Sequence, residues 1–535
     1  MSIATLPAEQ PRALILRPPR DATVRLFWIF AAGHVAVWMA VCLLTHPNAP
    51  LDMIEMISWG NHLEWGYYKH PPMPAWIAWA SIELFGKALW PIYLATQLTL
   101  VATMWAAWRL ARKMLRPWPA LCAALMLEGC YYFSLVGTNW NHNVIVRLFW
   151  SLSVLLLYRA ITENRLWQWL AAGACLGLGM LSKYDMGVVV LSMMAFALLD
   201  RRVRPLLRTP GPYWMTLAAL AIFAPHAWWM YGHGFGTIAY AIERGQINES
   251  HWTSHLLNPL LFLGIQLAAL PVMMLAALPL ANRFWRRWGR SKPVPVAVDS
   301  PDLPAFDRKL ARDYLLAAVL GPLAVDLLIS LLTGAYIIPL WGASLWTFVG
   351  VALVFFLAPN AASRKYRQTV ATCALLGLIF AGGRTYGNVR RVHLAGKPSH
   401  MQFPGRQLAA EVDRRWAQRY DQPLRIVAGR WWEAGNVSFY SPGPTIVYGD
   451  LDTEECPWCD DEQLRREGGV IVWPLDGLGP LPDFAERFPE AVELDPITLP
   501  WQSDGHPPPI RIGMAIVPPR PGPPTDGHNP TAASP

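Results

Sequence analysis

Residues 26–45 read L-F-W-I-F-A-A-G-H-V-A-V-W-M-A-V-C-L-L-T, twenty positions without an Asp, Glu, Lys or Arg. A run of that length and composition is enough for one helix to cross the hydrocarbon core of a bilayer. It follows a basic leader, residues 1–25, that carries Arg12, Arg17, Arg20 and Arg25. No small-residue cleavage site of the A-x-A kind ends it, so it reads as a retained first helix and not a removed signal peptide. Similar runs recur to about Gly383 and then stop. Hydrophobic residues fill 53% of the 535 positions and charged residues only 15%, more apolar surface than one soluble core needs.

The net charge of +8 could suggest a nucleic-acid partner, but Lys and Arg cluster in short segments between the apolar runs. That is the positive-inside pattern, and no nucleic acid is expected. About eleven transmembrane helices, near 26–45, 90–110, 117–137, 143–161, 166–182, 186–199, 212–231, 257–281, 314–333, 336–357 and 367–383, put RLARKMLR, YRAITENR, DRRVRPLLR, NRFWRRWGRSK and SRKYR on one side. With the leader cytoplasmic, the expected protein is a polytopic α-helical one of the bacterial inner membrane whose tail is periplasmic. The short, proline-led stretch Pro72 to Leu84 would spoil this count as a span. It is expected to lie on the outer surface as an interfacial helix, with Trp76 and Trp79 at headgroup level.

Beyond a membrane domain at 26–384, residues 400–518 read as a small α/β domain. LRIVAG (424–429), TIVYG (445–449) and GVIVWP (469–474) alternate with helix-like polar segments, which predicts a few largely parallel strands. Residues 519–535 and the loop Ser291 to Pro304 have the Pro-, Gly- and Ser-rich character of linkers or disordered tails. Five of seven cysteines fall inside predicted spans; Cys456 and Cys459 form C-P-W-C in the tail, as a local bridge or as two free thiols. No Walker loop, Rossmann glycine fingerprint or H-E-x-x-H helix occurs, which removes the usual marks of ATP-driven transport and nucleotide-cofactor chemistry. No cofactor and no metal site are expected.

Candidate chemistry gathers in the outer loops. In the first, 46–89, Asp52 and Glu55 are three apart, on one face of a helix. They are either solvated loop carboxylates or, held near lipid, a base that activates an acceptor hydroxyl. His70-Pro71-Pro72 stiffens the backbone and could aim Lys69 and His70 into a cleft, His70 serving as a hydrogen-bonding wall or as a metal ligand. The next outer turn contains T-N-W-N-H-N, with Asn141 and His142, and the one after it S-K-Y-D, with Lys183 and Tyr184. Lys183 either holds a phosphate or snorkels to the headgroups. The longest outer loop, Tyr231 to His255, brings Glu243, Glu249 and Arg244, whose guanidinium suits phosphate.

The run from Asp52 through Glu55, Gly66-Tyr67, His70-Pro71-Pro72, Ala75-Trp76 and Leu84-Phe85-Gly86 resembles the first outer loop of bacterial family-39-type glycosyltransferases. These are relatives of the protein O-mannosyltransferases, the lipid A aminoarabinose transferase and the rhizobial galacturonosyl transferases. GLGMLSKYDMGVVVL and AGRWWEAGNVSFYSP extend the likeness. The chain departs from many members in having D-x-x-E where they have adjacent Asp-Glu, and Asn141-His142-Asn143 where a Pro-Asp is common. The resemblance implies the GT-C membrane architecture and an inverting transfer of sugar from a polyprenyl-phosphate donor to an envelope glycan, lipid or protein, with Asp52 as catalytic carboxylate. On that reading Glu55 assists, Lys183 and Arg244 bind the donor phosphate, and His70, Tyr184, Asn141 and His142 contact substrate. A lipid or sugar transporter, or a ligase of the O-antigen or oligosaccharyl type, are the alternatives.

Overall fold

A computed structural model describes residues 21–247, 251–288, 307–357, 363–476 and 484–520. Residues 1–20 of the basic leader, Glu249, the Ser291–Pro304 loop and the tail beyond residue 520 lie outside the described residues. The membrane-domain helices are α1 (Ala22–Thr45), α2 (Leu51–Gly60), α3 (Met73–Phe85), α4 (Trp90–Met114), α5 (Pro117–Leu125), α6 (His142–Glu163), α7 (Leu166–Met180) and α8 (Met186–Leu199). They continue as α9 (Pro210–Gly232), α10 (Gly236–Arg244), α11 (Ser254–Ala268), α12 (Pro271–Trp288), α13 (Arg308–Thr333), α14 (Val349–Leu357), α15 (Ser363–Val389) and the short α16 (Arg391–Ala395).

Among the described residues, five helical stretches are long and apolar enough to cross a membrane unbroken: Ala22–Thr45, His142–Glu163, Arg308–Thr333, Pro339–Phe356 and Arg364–Val389. The expected count of about eleven is not reached by that measure: α7 and α8 are shorter apolar helices, and three expected spans are built differently from a single α-helix. The 117–137 run leaves α-helical geometry after Leu125, tightens into a 3-10 turn at Met126–Gly129 and then winds through turns. Here Glu128 is drawn into the interior, where it meets His34 Nδ1 at 2.7 Å and Trp38 Nε1 at 3.0 Å. The 257–281 run is two helices, α11 and α12, bent by 44° where Pro271 opens the second. The 336–357 run starts as a 3-10 segment, Pro339–Phe348, before α14.

Helices approach closely where the sequence supplies small residues. Gly173 and Gly177, four apart on α7, face α9; a Cβ on Gly173 would sit 2.1 Å from the Met215 carbonyl oxygen, and one on Gly177 2.8 Å from that of Ala219.

The C-terminal domain holds α17 (Gly405–Ala417), α18 (Trp431–Tyr440), α19 (Asp461–Glu467), α20 (Phe484–Arg487) and strands β1 (Ile426–Gly429), β2 (Ile446–Gly449), β3 (Gly469–Pro474), β4 (Val492–Leu499) and β5 (Ile510–Val517). The sheet order is β2-β1-β3-β5-β4. The three expected strands are parallel, but β5 pairs antiparallel with both β3 and β4, so the sheet is mixed. Cys456 and Cys459 are buried free thiols, not a bridge. The Gly449 N–H donates to Cys456 Sγ at 3.2 Å, which ties the C-P-W-C loop to the end of β2.

The two domains are in contact. α18 packs on α2, with Gly435 against Ile54 and Ser58. The Lys87 ammonium donates to the carbonyls of Ser438, Ser441 and Gly443 at 3.3, 3.0 and 2.7 Å, closing the carboxyl end of α18 where a cation suits the exposed carbonyls. His62 stacks on Trp458 with ring centroids 4.6 Å apart and planes 8° from parallel.

Candidate active site

A cavity of about 380 Å³ opens where α2, the Lys69–His70 loop, the start of α6, α10 and the Ile338–Trp341 segment meet α18. Asp52 and Glu55 line it from α2, where their spacing of three puts both on the exposed stripe of an otherwise buried helix. Two amides hold Asp52: Asn139 Nδ2 and Asn141 Nδ2 donate to Oδ2 at 3.0 and 2.8 Å. Asn141 is also the N-cap of α6, its Oδ1 accepting from the N–H groups of Asn143 and Val144 at 3.0 and 3.3 Å. The cap fixes which end of the amide faces Asp52. Among the described residues Asp52 Oδ1 has no hydrogen-bond partner.

Lys69 Nζ donates to Glu55 Oε1 at 2.8 Å. Burial pushes the Glu55 carboxyl above its usual range, and Lys69 limits the rise. For Lys69, burial pulls the ammonium down but the Glu55 carboxylate more than offsets it, so the lysine stays charged. His70 lies ring to ring with His142, centroids 3.8 Å apart. Burial, with Lys183 and Lys69 nearby, lowers the His70 pKa to about 3, so His70 is neutral at physiological pH. Arg244, the last residue of α10, lines the cavity and forms no ion pair among the described residues.

Asp52, Glu55, His70, His142 and Arg244 therefore share one cavity, and Asn141 supports Asp52 from beside it. Two expected contacts fall elsewhere. Lys183 is 4% exposed and sits behind the wall, bonded to Asp185 and, at 2.9 Å, to Asn143 Oδ1, under the Trp341 ring at 5.0 Å. Asn143 and Trp341 are themselves lining residues, so the ammonium braces the wall and does not enter the space. Tyr184 turns away, its hydroxyl meeting His226 Nε2 at 2.7 Å and Thr237 Oγ1 at 2.8 Å. In their place the cavity gains Lys69 and Tyr240, and Trp431 and Trp432 from the other domain. The HPP segment signalled Lys69. The two tryptophans carried no signal beyond the AGRWWEAGN likeness. Among the described residues no three His, Cys, Asp or Glu side chains converge as metal ligands.

In sequence, and in its helical bundle with an appended sheet, the chain is similar to membrane glycosyltransferases of the GT-C type. Residues 69–229 match the family model described as dolichyl-phosphate-mannose-protein mannosyltransferase. The chain is 25% identical over 471 residues to the lipopolysaccharide core galacturonosyltransferase RgtB of Rhizobium johnstonii, covering 86% of this chain and 90% of that one. It is 23% identical to RgtA of the same organism, over 89% of this chain and 92% of that one. Its fold matches that of ArnT from Cupriavidus metallidurans bound to undecaprenyl phosphate, with a TM-score of 0.61 at 14% identity, covering 93% of this chain and 98% of ArnT.

Proposed function

We propose that the chain transfers a sugar from a polyprenyl-phosphate donor to a lipopolysaccharide-type acceptor on the periplasmic side of the inner membrane. The observation that carries this reading is one cavity in which a carboxylate with a free oxygen, Asp52, stands near two cations suited to phosphate, Lys69 and Arg244. The undecaprenyl phosphate bound to ArnT and the lipopolysaccharide in the names of RgtA and RgtB support donor and acceptor class.

In the reaction the glycosidic C–O bond to phosphate breaks and the acceptor hydroxyl bonds to the anomeric carbon from the opposite face, inverting it. Asp52 Oδ1 takes the hydroxyl proton. Lys69 and Arg244 stabilise the charge that grows on the departing phosphate monoester; that growth makes the contacts stronger in the transition state than in the ground state. Glu55 aims the Lys69 ammonium. His70 and His142 form a neutral floor, and Trp431 and Trp432 offer ring faces to the sugar. Lys183, assigned to the phosphate on sequence grounds, serves instead as a positioning residue for Asn143 and Trp341.

The test is transfer by the purified protein in nanodiscs, with galacturonosyl undecaprenyl phosphate as first donor and Kdo2-lipid A as acceptor, read by mass spectrometry. A product heavier by one sugar residue supports the reading. Failure both to bind undecaprenyl phosphate and to hydrolyse or transfer any polyprenyl-phosphate sugar would overturn it.

A further inference from the structure

A second cavity, of about 720 Å³, lies between the Tyr131–Asn139 turns, the carboxyl end of α15 with α16, and the Ser399–Met401 connector. Asn139 joins the two spaces. It lines the second cavity, its Nδ2 donates to Asp52 Oδ2 at 3.0 Å, and its Oδ1 is buried without a partner. The opposite wall carries Arg384, near the end of α15, and Arg391, the first residue of α16, with Asn388 between them. Arg384 Nη2 reaches Thr138 Oγ1 at 3.3 Å, while its Nε is buried with no acceptor. Neither arginine forms an ion pair among the described residues. Tyr131 and Phe380 complete an apolar side.

The half-buried Arg384, with an orphan N–H and no counter-ion, is costly unless an anion answers it, and the exposed Arg391 adds a second guanidinium to the same cavity. The donor phosphate has its own cations, Lys69 and Arg244, in the first cavity. Inversion also requires the acceptor to approach from the side opposite the leaving phosphate, which a cavity separate from those cations but joined to Asp52 through Asn139 would allow. We propose that this cavity is the acceptor site, and that Arg384 and Arg391 hold an anionic group, phosphate or carboxylate, of a glycolipid whose hydroxyl is handed to Asp52. The inference rests on the transferase reading and adds to it the acceptor's charge and place.

The experiment uses full-length protein in nanodiscs and measures the affinity of two probes, Kdo2-lipid A and undecaprenyl phosphate. Arg384→Gln and Arg391→Gln should each weaken Kdo2-lipid A binding roughly tenfold, the scale of a charge-assisted contact, and leave undecaprenyl phosphate binding unchanged. Unchanged binding of the second probe also certifies that the variants are folded. Dephosphorylated Kdo2-lipid A separates the sources: if its binding no longer responds to the arginine variants, phosphate is the bound group, and if it still responds, the Kdo carboxylates are. Kdo2-lipid A that fails to bind the unaltered protein, or binds both variants normally, overturns the inference, as does a parallel loss of undecaprenyl phosphate. Arginine-dependent Kdo2-lipid A binding by a protein that binds no undecaprenyl phosphate would instead sink the transferase reading and leave the anionic site standing.

Discussion

Asn141 uses both ends of its amide, the oxygen to cap α6 and the nitrogen to hold Asp52, so the helix start fixes the carboxylate's direction. An asparagine at position 52 would keep an oxygen for the two amide donors and present an NH2 where the free carboxylate oxygen now stands. Asp52→Asn should therefore leave undecaprenyl phosphate affinity near normal while turnover drops by roughly a hundredfold to ten-thousandfold, as for loss of a general base. Unaltered single-turnover rates would remove Asp52 from the chemistry. The lysines should separate in a different way. Lys69→Met should weaken undecaprenyl phosphate binding and slow transfer together, because the ammonium lines the cavity. Lys183→Met leaves Asp185 in a protein interior without its cation, a defect that costs about 3–5 kcal/mol when buried pairs are broken. It should lower the thermal midpoint first, and Lys183→Met with Asp185→Asn should recover much of the loss. A lysine-183 variant of normal stability but without phosphate affinity would reverse these roles.

At the scale of elements, α2 and α18 work as a pair: the first carries Asp52 and Glu55, the second brings Trp431 and Trp432 over them. Their contact depends on Gly435, where an added Cβ would meet Ile54 Cγ2 at 2.6 Å and Ser58 Oγ at 3.1 Å. Gly435→Val should push α18 outward and reduce transfer at least about fivefold, while the isolated sheet keeps its circular dichroism; overpacking of this kind costs about 1–3 kcal/mol. Full activity in that variant would mean the tryptophans do not touch substrate. Much of this layout could be read from the chain. Apolar runs and D-x-x-E spacing are local signals, and they marked the long apolar helices and put the two carboxylates on one face of α2. The environment of Lys183 was not legible, because only packing reveals that Asp185 and Asn143 already engage its ammonium. The mixed sheet escaped notice because β4 is mostly exposed and carries Asp495-Pro496 at an irregularity in its pairing, which breaks the alternation that marks a strand.

Across the whole molecule, domain docking is expected to sense pH through His62. Burial lowers its pKa from 6.5 to about 4 while the ring stacks on Trp458. The folded state binds this proton more weakly than the unfolded one, so the stacking is fully present above pH 6.5 and is lost as pH falls toward 4. By linkage the loss reaches about 2 kcal/mol near pH 5. Protection factors in residues 451–460, which correct for the intrinsic pH dependence of amide exchange, should fall between pH 7 and pH 5, and His62→Phe, which keeps a flat ring, should abolish the fall. Equal protection at both pH values would remove His62 from the interface. Orientation has its own check. With the amino terminus inside, a periplasm-active reporter after residue 520 should be bright and a cytoplasm-active one silent; the opposite pattern would put Asp52 on the wrong side for any lipid-carried sugar.

The tryptophans that cover the carboxylates are made long after them. Asp52 leaves the ribosome with the second helix, but Trp431 and Trp432 follow only after α15, the last long apolar helix, and the sheet that orients them ends at Val517. At about 5–20 residues per second, a chain whose membrane helices are all made spends several more seconds with its cavity uncovered. Until the sheet is made, the chain holds the carboxylates of α2 without the tryptophans that line the same cavity. On the proposed reading, activity waits for the sheet, and a transcript truncated near α15 should yield an inactive protein.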